Sequence, residues 1–108
     1  MTTIAQNSTH ATLINVFTVA PDNIDALVEL LIRATDEVIQ YVPGFVAANI
    51  HRSLDGQQVV NYAQWESADA YAAMLNDPKA REHMSACVEL AISFDPRLYT
   101  VESVHAKD

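Results

Sequence analysis

The chain has 108 residues, half of them apolar, and 14 Asp and Glu against 6 Lys and Arg, for a formal net charge of −8. That length supports one hydrophobic core and excludes two, and an acidic balance with scattered basic residues argues against nucleic acid as a partner. With only Gly44 and Gly56 there is no glycine-rich loop to cradle a phosphate, and with Cys87 alone there is neither an internal disulfide nor a cysteine-based zinc site.

Residues 1–10, MTTIAQNSTH, lack periodicity and are expected to form a disordered tail ahead of a single domain at 11–108. They carry no basic segment followed by an apolar one, and no later run reaches the roughly eighteen apolar residues of a membrane span. A soluble, cytoplasmic protein is expected. ATLINVFTV (11–19) reads as a β-strand with Leu13, Asn15, Phe17 and Val19 on one face and Ile14, Val16 and Thr18 on the other.

In PDNIDALVELLIRATDEVIQYVPG the apolar positions Ile24, Leu27, Val28, Leu31, Thr35 and Val38 recur at helical spacing, with Asp22 as expected N-cap and Pro43-Gly44 as terminator. FVAANIHRS (45–53) and QQVVNYAQWE (57–66) read as a hairpin joined at Asp55-Gly56. Ser67 is placed to cap a short helix, ADAYAAMLN, and Asp77 followed by Pro78 to begin a second, PKAREHMSACVELAIS, with Met84, Cys87, Val88 and Ala91 on one side. RLYTVESVH (97–105) is read as the last strand.

This order is β-α-β-β-α-β, the α+β ferredoxin-like split βαβ arrangement. Helices on one side of a four-stranded antiparallel sheet leave the other side bare, and both parities of the strands are apolar here. A second copy is therefore expected to cover the open face, giving a homodimer joined through its sheets.

The hairpin's second strand poses a chemical question. Val59, Asn61, Ala63 and Trp65 share one face by the period of two, so an apolar surface carries two groups that need hydrogen-bond partners. Asn is depleted in strands, which makes Asn61 the harder of the two to explain as core. The four histidines, His10, His51, His83 and His105, show no metal-ligand spacing, so no metal site is expected.

VPGF (42–45), the Asp55-Gly56 turn and above all VVNYAQWESADAY (59–71) resemble the antibiotic biosynthesis monooxygenase family, specifically its cofactor-independent, anthrone-oxidising members from aromatic polyketide pathways. The likeness runs from about Ala11 to His105. It implies a dimeric ferredoxin-like α+β barrel, and a cofactor-independent monooxygenase acting on an aromatic polyketide with O₂. Carried over by position, it makes Asn61, Trp65 and Asn15 the catalytic candidates and Tyr71 a substrate-binding one, in a pocket between sheet and helices. Phe17, on the face of Asn15, and His83 join Tyr71 as substrate-binding candidates.

The implied chemistry is oxidation of an anthrone to a quinone through the substrate's carbanion, with amide and indole groups stabilising the charge that develops on the carbonyl oxygen. No residue stands out as a strong base. Two alternatives remain. The haem-degrading branch of the same superfamily frames haem with a first-strand Asn and a later-helix His, near Asn15 and His83, but Ala73 and Met74 occupy the neighbourhood of that branch's helix Trp. A non-catalytic small-molecule-binding dimer is the other.

Overall fold

The computed structural model describes residues 1–6 and 8–107. Its elements are β1 (Ala11–Val19), α1 (Ile24–Glu37), β2 (Phe45–Arg52), β3 (Gln58–Trp65), α2 (Ala68–Leu75), α3 (Pro78–Leu90) and β4 (Ala91–Tyr99). The strands form one antiparallel sheet in the order β2-β3-β1-β4, which is the ferredoxin-like α+β topology expected from the element order.

From Leu13 on, burial along β1 alternates, with Leu13, Asn15, Phe17 and Val19 all beneath the helices. Its register against β3 sets Leu13 opposite Ala63, Asn15 opposite Asn61 and Phe17 opposite Val59. The apolar side chains on this face fall into two clusters. One gathers Leu13, Ala34, Ile39, Ala63, Trp65 and Met74; the other gathers Phe17, Ile24, Leu27, Leu31, Val59 and Cys87. The Asn15–Asn61 pair sits at the join, because on both strands the residue two places one way belongs to the first cluster and the residue two places the other way to the second.

The helix starts follow local chemistry. Ser67 accepts the Ala70 N–H at 3.0 Å and Asp77 accepts the Ala80 N–H at 3.0 Å, so each satisfies a backbone donor the first turn leaves free, with Pro78 opening α3 where a missing N–H costs nothing. Asp22, in contrast, is no N-cap: Pro21–Asn23 forms a 3₁₀ turn and α1 begins at Ile24, after an Asn23 whose side chain makes no capping bond. Proline fixes a helical φ at residue 21, which lets the tight turn form ahead of the helix.

The last strand lies six residues earlier than the sequence reading put it. β4 runs from Ala91 to Tyr99, and α3 stops at Leu90 with no intervening loop. Pro96 lies within β4, opposite Asn15. An edge strand accommodates it, since β4 has a neighbour on only one side and a missing N–H need not break a ladder bond.

Gly44 fixes how β2 leaves α1. Its φ of +89° belongs to the left-handed region, and a Cβ there would collide with the Cβ of Ala70 on α2. Glu66 N–H donates to the Gly44 carbonyl at 2.8 Å, which ties this crossing to the end of β3.

On the face away from the helices Ile14, Val16, Val60 and Tyr62 are half-buried. The first residues run over part of that face. Gln64 Nε2 donates to the Thr3 carbonyl at 2.6 Å, the Thr3 N–H donates to Gln64 Oε1 at 3.4 Å, and Asn49 donates to the Thr2 hydroxyl. Among the described residues of 1–10 there is no helix or strand. Among the described residues, no helix is long and apolar enough to cross a membrane.

Candidate active site

Asn15, Asn61 and Trp65 converge on one chamber between the sheet and the helices. It is lined by Leu13, Ala48 and Ala63 from the sheet, by Thr35 and Ile39 from the α1 side, and by Tyr71, Met74 and Met84 from α2 and α3. The register explains the convergence of the two amides. Directly opposed residues of an antiparallel pair have Cβ atoms about 5 Å apart, so Asn15 and Asn61 present their amides side by side.

Trp65 is buried, 1% exposed, with its ring edge-on to Phe45 at 5.6 Å between centroids and to Tyr71 at 6.2 Å. This packing holds the indole without satisfying it. Trp65 Nε1, Asn15 Oδ1 and Asn61 Oδ1 are the three buried side-chain polar atoms without a hydrogen-bond partner among the described residues. Leaving such a group unpaired costs about 1–3 kcal/mol. Three of them on one small chamber amount to a standing cost of several times that unit, which an apolar core of the same shape avoids.

The chamber has room for one water-sized molecule, about 20 Å³. It adjoins a much larger cavity of about 500 Å³ that opens between α2, α3 and the β4 edge. Asn15, Tyr71, Met74 and Met84 line both spaces and form the neck between them. The outer cavity is completed by Leu75, Arg81, Ser85, Val88 and Glu89 from the helices and by Phe94 and Pro96 from β4. Its size suits a drug-sized flat molecule. Burial raises the Tyr71 phenol above its ordinary pKa of 10, so the hydroxyl at the neck keeps its proton and its donor function at neutral pH.

The arrangement can do one thing well chemically: offer polar groups, fixed by packing and short of partners, to the edge of an otherwise apolar ligand. Each asparagine brings a donor and an acceptor on one amide, and the indole brings a donor. Among the described residues no three His, Cys, Asp or Glu side chains gather as metal ligands do.

The family model for the antibiotic biosynthesis monooxygenases matches residues 11–87, which spans β1 to most of α3. The chain belongs to the antibiotic biosynthesis monooxygenase family. It is 45% identical over 87 residues to the tetracenomycin-F1 monooxygenase of Streptomyces glaucescens, covering 81% of this chain and 78% of that one. Among solved structures it is similar to the monooxygenase from the gene ActVA-Orf6 of Streptomyces coelicolor in complex with nanaomycin D, at 34% identity and a TM-score of 0.80, over 91% of this chain and 92% of that one. It is also similar to an asparagine-to-alanine variant of SnoaB, a cofactor-independent oxygenase from Streptomyces nogalater, at 25% identity and a TM-score of 0.76, over 93% of this chain and all of that one. The chain is accordingly an enzyme of the monooxygenase class.

Two candidates from the sequence stand apart from both spaces. Phe17 is fully buried in the second core cluster, its ring stacked on Phe94 at 6.4 Å, and lines neither the chamber nor the outer cavity. The Asn pair stands between it and the chamber. His83 lies half-buried on α3 but on a different side of the helix from Arg81, Met84, Ser85 and Val88, and it too lines neither space.

The two methionines at the neck, Ala48, and Ser85, Val88 and Glu89 of the outer cavity were not singled out as site residues, and the role of Arg81 was left open. A signal for the last group existed. Arg81, Ser85, Val88 and Glu89 repeat at spacings of four, three and one, which is one helix face carrying three polar side chains.

Proposed function

We propose that the protein is a cofactor-independent monooxygenase that oxidises an anthrone-type aromatic polyketide to the quinone with O₂, through the substrate's carbanion. What carries the reading is the set of three unpartnered polar atoms, on Asn15, Asn61 and Trp65, around one chamber that a 500 Å³ cavity feeds. Unsatisfied buried groups are retained where a ligand supplies the missing partners.

The tricyclic body rests in the outer cavity against Phe94, Pro96 and Val88, and its carbonyl edge points through the neck at the amides and the indole. For that edge to reach Asn61 and Trp65, Met74 and Met84 must repack, and unbranched thioether side chains do so at low cost. Loss of a methylene proton leaves an extended anion with charge on the carbonyl oxygen. The Trp65 N–H donates to that oxygen, and a hydrogen bond to a charged group is worth about 1.5–3 kcal/mol, while the free Oδ1 atoms of Asn15 and Asn61 accept from ring hydroxyls and orient the anion. The anion then gives an electron to O₂, recombination forms a peroxide at carbon, and loss of water yields the quinone. Tyr71 at the neck holds a ring hydroxyl or the peroxide.

A cytoplasmic homodimer is part of the proposal, formed over the half-buried face of Ile14, Val16, Val60 and Tyr62. The test of the chemistry is oxygen uptake with a dihydroxyanthrone. Asn61→Ala and Trp65→Phe are each expected to slow turnover about ten- to a hundredfold, and unchanged rates in both variants remove these residues from the mechanism.

A further inference from the structure

Among the described residues, Arg81 and Glu89 are the only charged side chains that line either the chamber or the outer cavity. Arg81 lies one turn into α3, soon after α2 ends at Leu75 and three residues before the neck residue Met84. Glu89 is the penultimate residue of α3, at its junction with β4, about 12 Å further along the helix axis. The outer cavity is therefore positive at the end nearer the neck and negative at the other.

Arg81 also differs from the other arginines. Arg33 pairs with Glu37 at 3.6 Å, Arg52 with Asp25 at 2.7 Å and Arg97 with Asp95 at 3.1 Å, whereas Arg81 makes no ion pair among the described residues. Scarcity of acids is not the cause, since the chain has 14 Asp and Glu against 6 Lys and Arg. The local sequence withholds a partner. Arg33 finds its glutamate one turn on, but the position one turn after Arg81 is Ser85. One turn before stands Asp77, whose Oδ1 accepts the Ala80 N–H as the helix cap. A guanidinium with five donors is left at the cavity with no carboxylate to bind.

We propose that Arg81 selects the substrate by charge, holding a carboxylate on a terminal ring of the aromatic polyketide, so that the enzyme takes an anthrone acid in preference to a neutral anthrone. The inference rests on the monooxygenase reading above and keeps its seating. The carbonyl edge points through the neck, and the acid, on the ring flank beside that edge, stays in the outer cavity against Arg81. A carboxylate fits the guanidinium fork with two parallel N–H···O bonds. Glu89 repels the same group at the far end of the helix, which disfavours the reversed seating with the carbonyl edge away from the neck. Both side chains are exposed, so salt weakens the recognition.

The experiment compares, by oxygen uptake, a dihydroxyanthrone with the same ring system carrying one carboxylate, made at each open position of a terminal ring. At least one acid isomer is expected to exceed the parent in kcat/KM by at least about fivefold at low ionic strength, chiefly through KM, and to lose most of that advantage in about 0.5 M salt. Arg81→Met keeps a long unbranched side chain without the charge and is expected to bring the ratio to about one; Arg81→Lys keeps the charge without the fork and is expected to retain part of it. Calorimetry with the matching anthraquinone carboxylate and its neutral parent, which needs no turnover, is expected to show the same preference and the same loss in Arg81→Met. A wild-type enzyme that oxidises the parent as efficiently as every acid isomer, or a preference that survives in Arg81→Met, overturns the role of Arg81 alone. A wild-type protein that consumes no O₂ with any of these anthrones overturns the monooxygenase reading; an Arg81-dependent preference for the anthraquinone carboxylate then upholds the anion site, and its absence overturns that as well.

Discussion

Asn15→Leu is expected to make the protein more stable and less active at once. Asn15 is 3% exposed, lies between Leu13 and Phe17 on the same strand face, and has an amide oxygen without a partner. Leucine has nearly the same branched shape, so it extends the apolar row and joins the two core clusters across the chamber floor. Removing one unsatisfied buried acceptor recovers about 1–3 kcal/mol. For a domain of this size 1 kcal/mol corresponds to about 4–8 °C in Tm, so a rise of at least about 4 °C is expected by differential scanning calorimetry. Oxygen uptake with a dihydroxyanthrone, measured on the same preparation, is expected to fall about ten- to a hundredfold. The opposite pairing refutes the reasoning: a lower Tm makes Asn15 a structural residue whose amide is satisfied in the folded chain, and full activity removes it from the reaction.

Gly44→Ala is expected to destabilise the fold by more than about 1 kcal/mol, because the left-handed backbone at φ +89° and the Cβ of Ala70 both oppose a side chain there; urea unfolding of the variant measures it. Cys87 is fully buried and burial pushes its thiol up to about 11, so it is expected to resist Ellman's reagent at pH 8 in the native protein and to react once unfolded in urea. The same shift sets a pH dependence: the unfolded thiol ionises near its ordinary value of 9 while the folded one stays protonated, so stability is full below pH 9 and declines as pH rises toward 11. Cys87→Ala is expected to lose that part of the alkaline decline in Tm.

Where local chemistry decides, the sequence was enough. β1 and the caps at Ser67 and Asp77 stand where alternation and side-chain acceptors indicate them. The errors fall where context overrides a local signal. Asp22 is a good N-cap residue, but Pro21 starts a 3₁₀ turn that moves the helix start one residue on. The last strand was placed too late because the abrupt passage from Leu90 to Ala91 leaves no turn residues to mark its true beginning, and Pro96 stands inside it, which an edge strand tolerates. In the site, Asn61 and Trp65 were visible because polar groups on an apolar strand face demand an explanation, and Asn15 entered through the family resemblance. The pairing of Asn15 with Asn61 across β1 and β3 was not visible, since register comes from the assembled sheet. Phe17 shares the parity of Asn15, and parity alone cannot tell a chamber wall from the core beyond it.

The central claim is that the unpartnered indole N–H stabilises a substrate anion that the Asn15 and Asn61 amides orient, and proton exchange tests it without involving O₂. Under nitrogen, with a dihydroxyanthrone in D₂O, the protein is expected to accelerate deuterium incorporation at the methylene, and Trp65→Phe and Asn61→Ala to reduce that acceleration about ten- to a hundredfold. Exchange no faster than in buffer, or equally fast in both variants, contradicts the account.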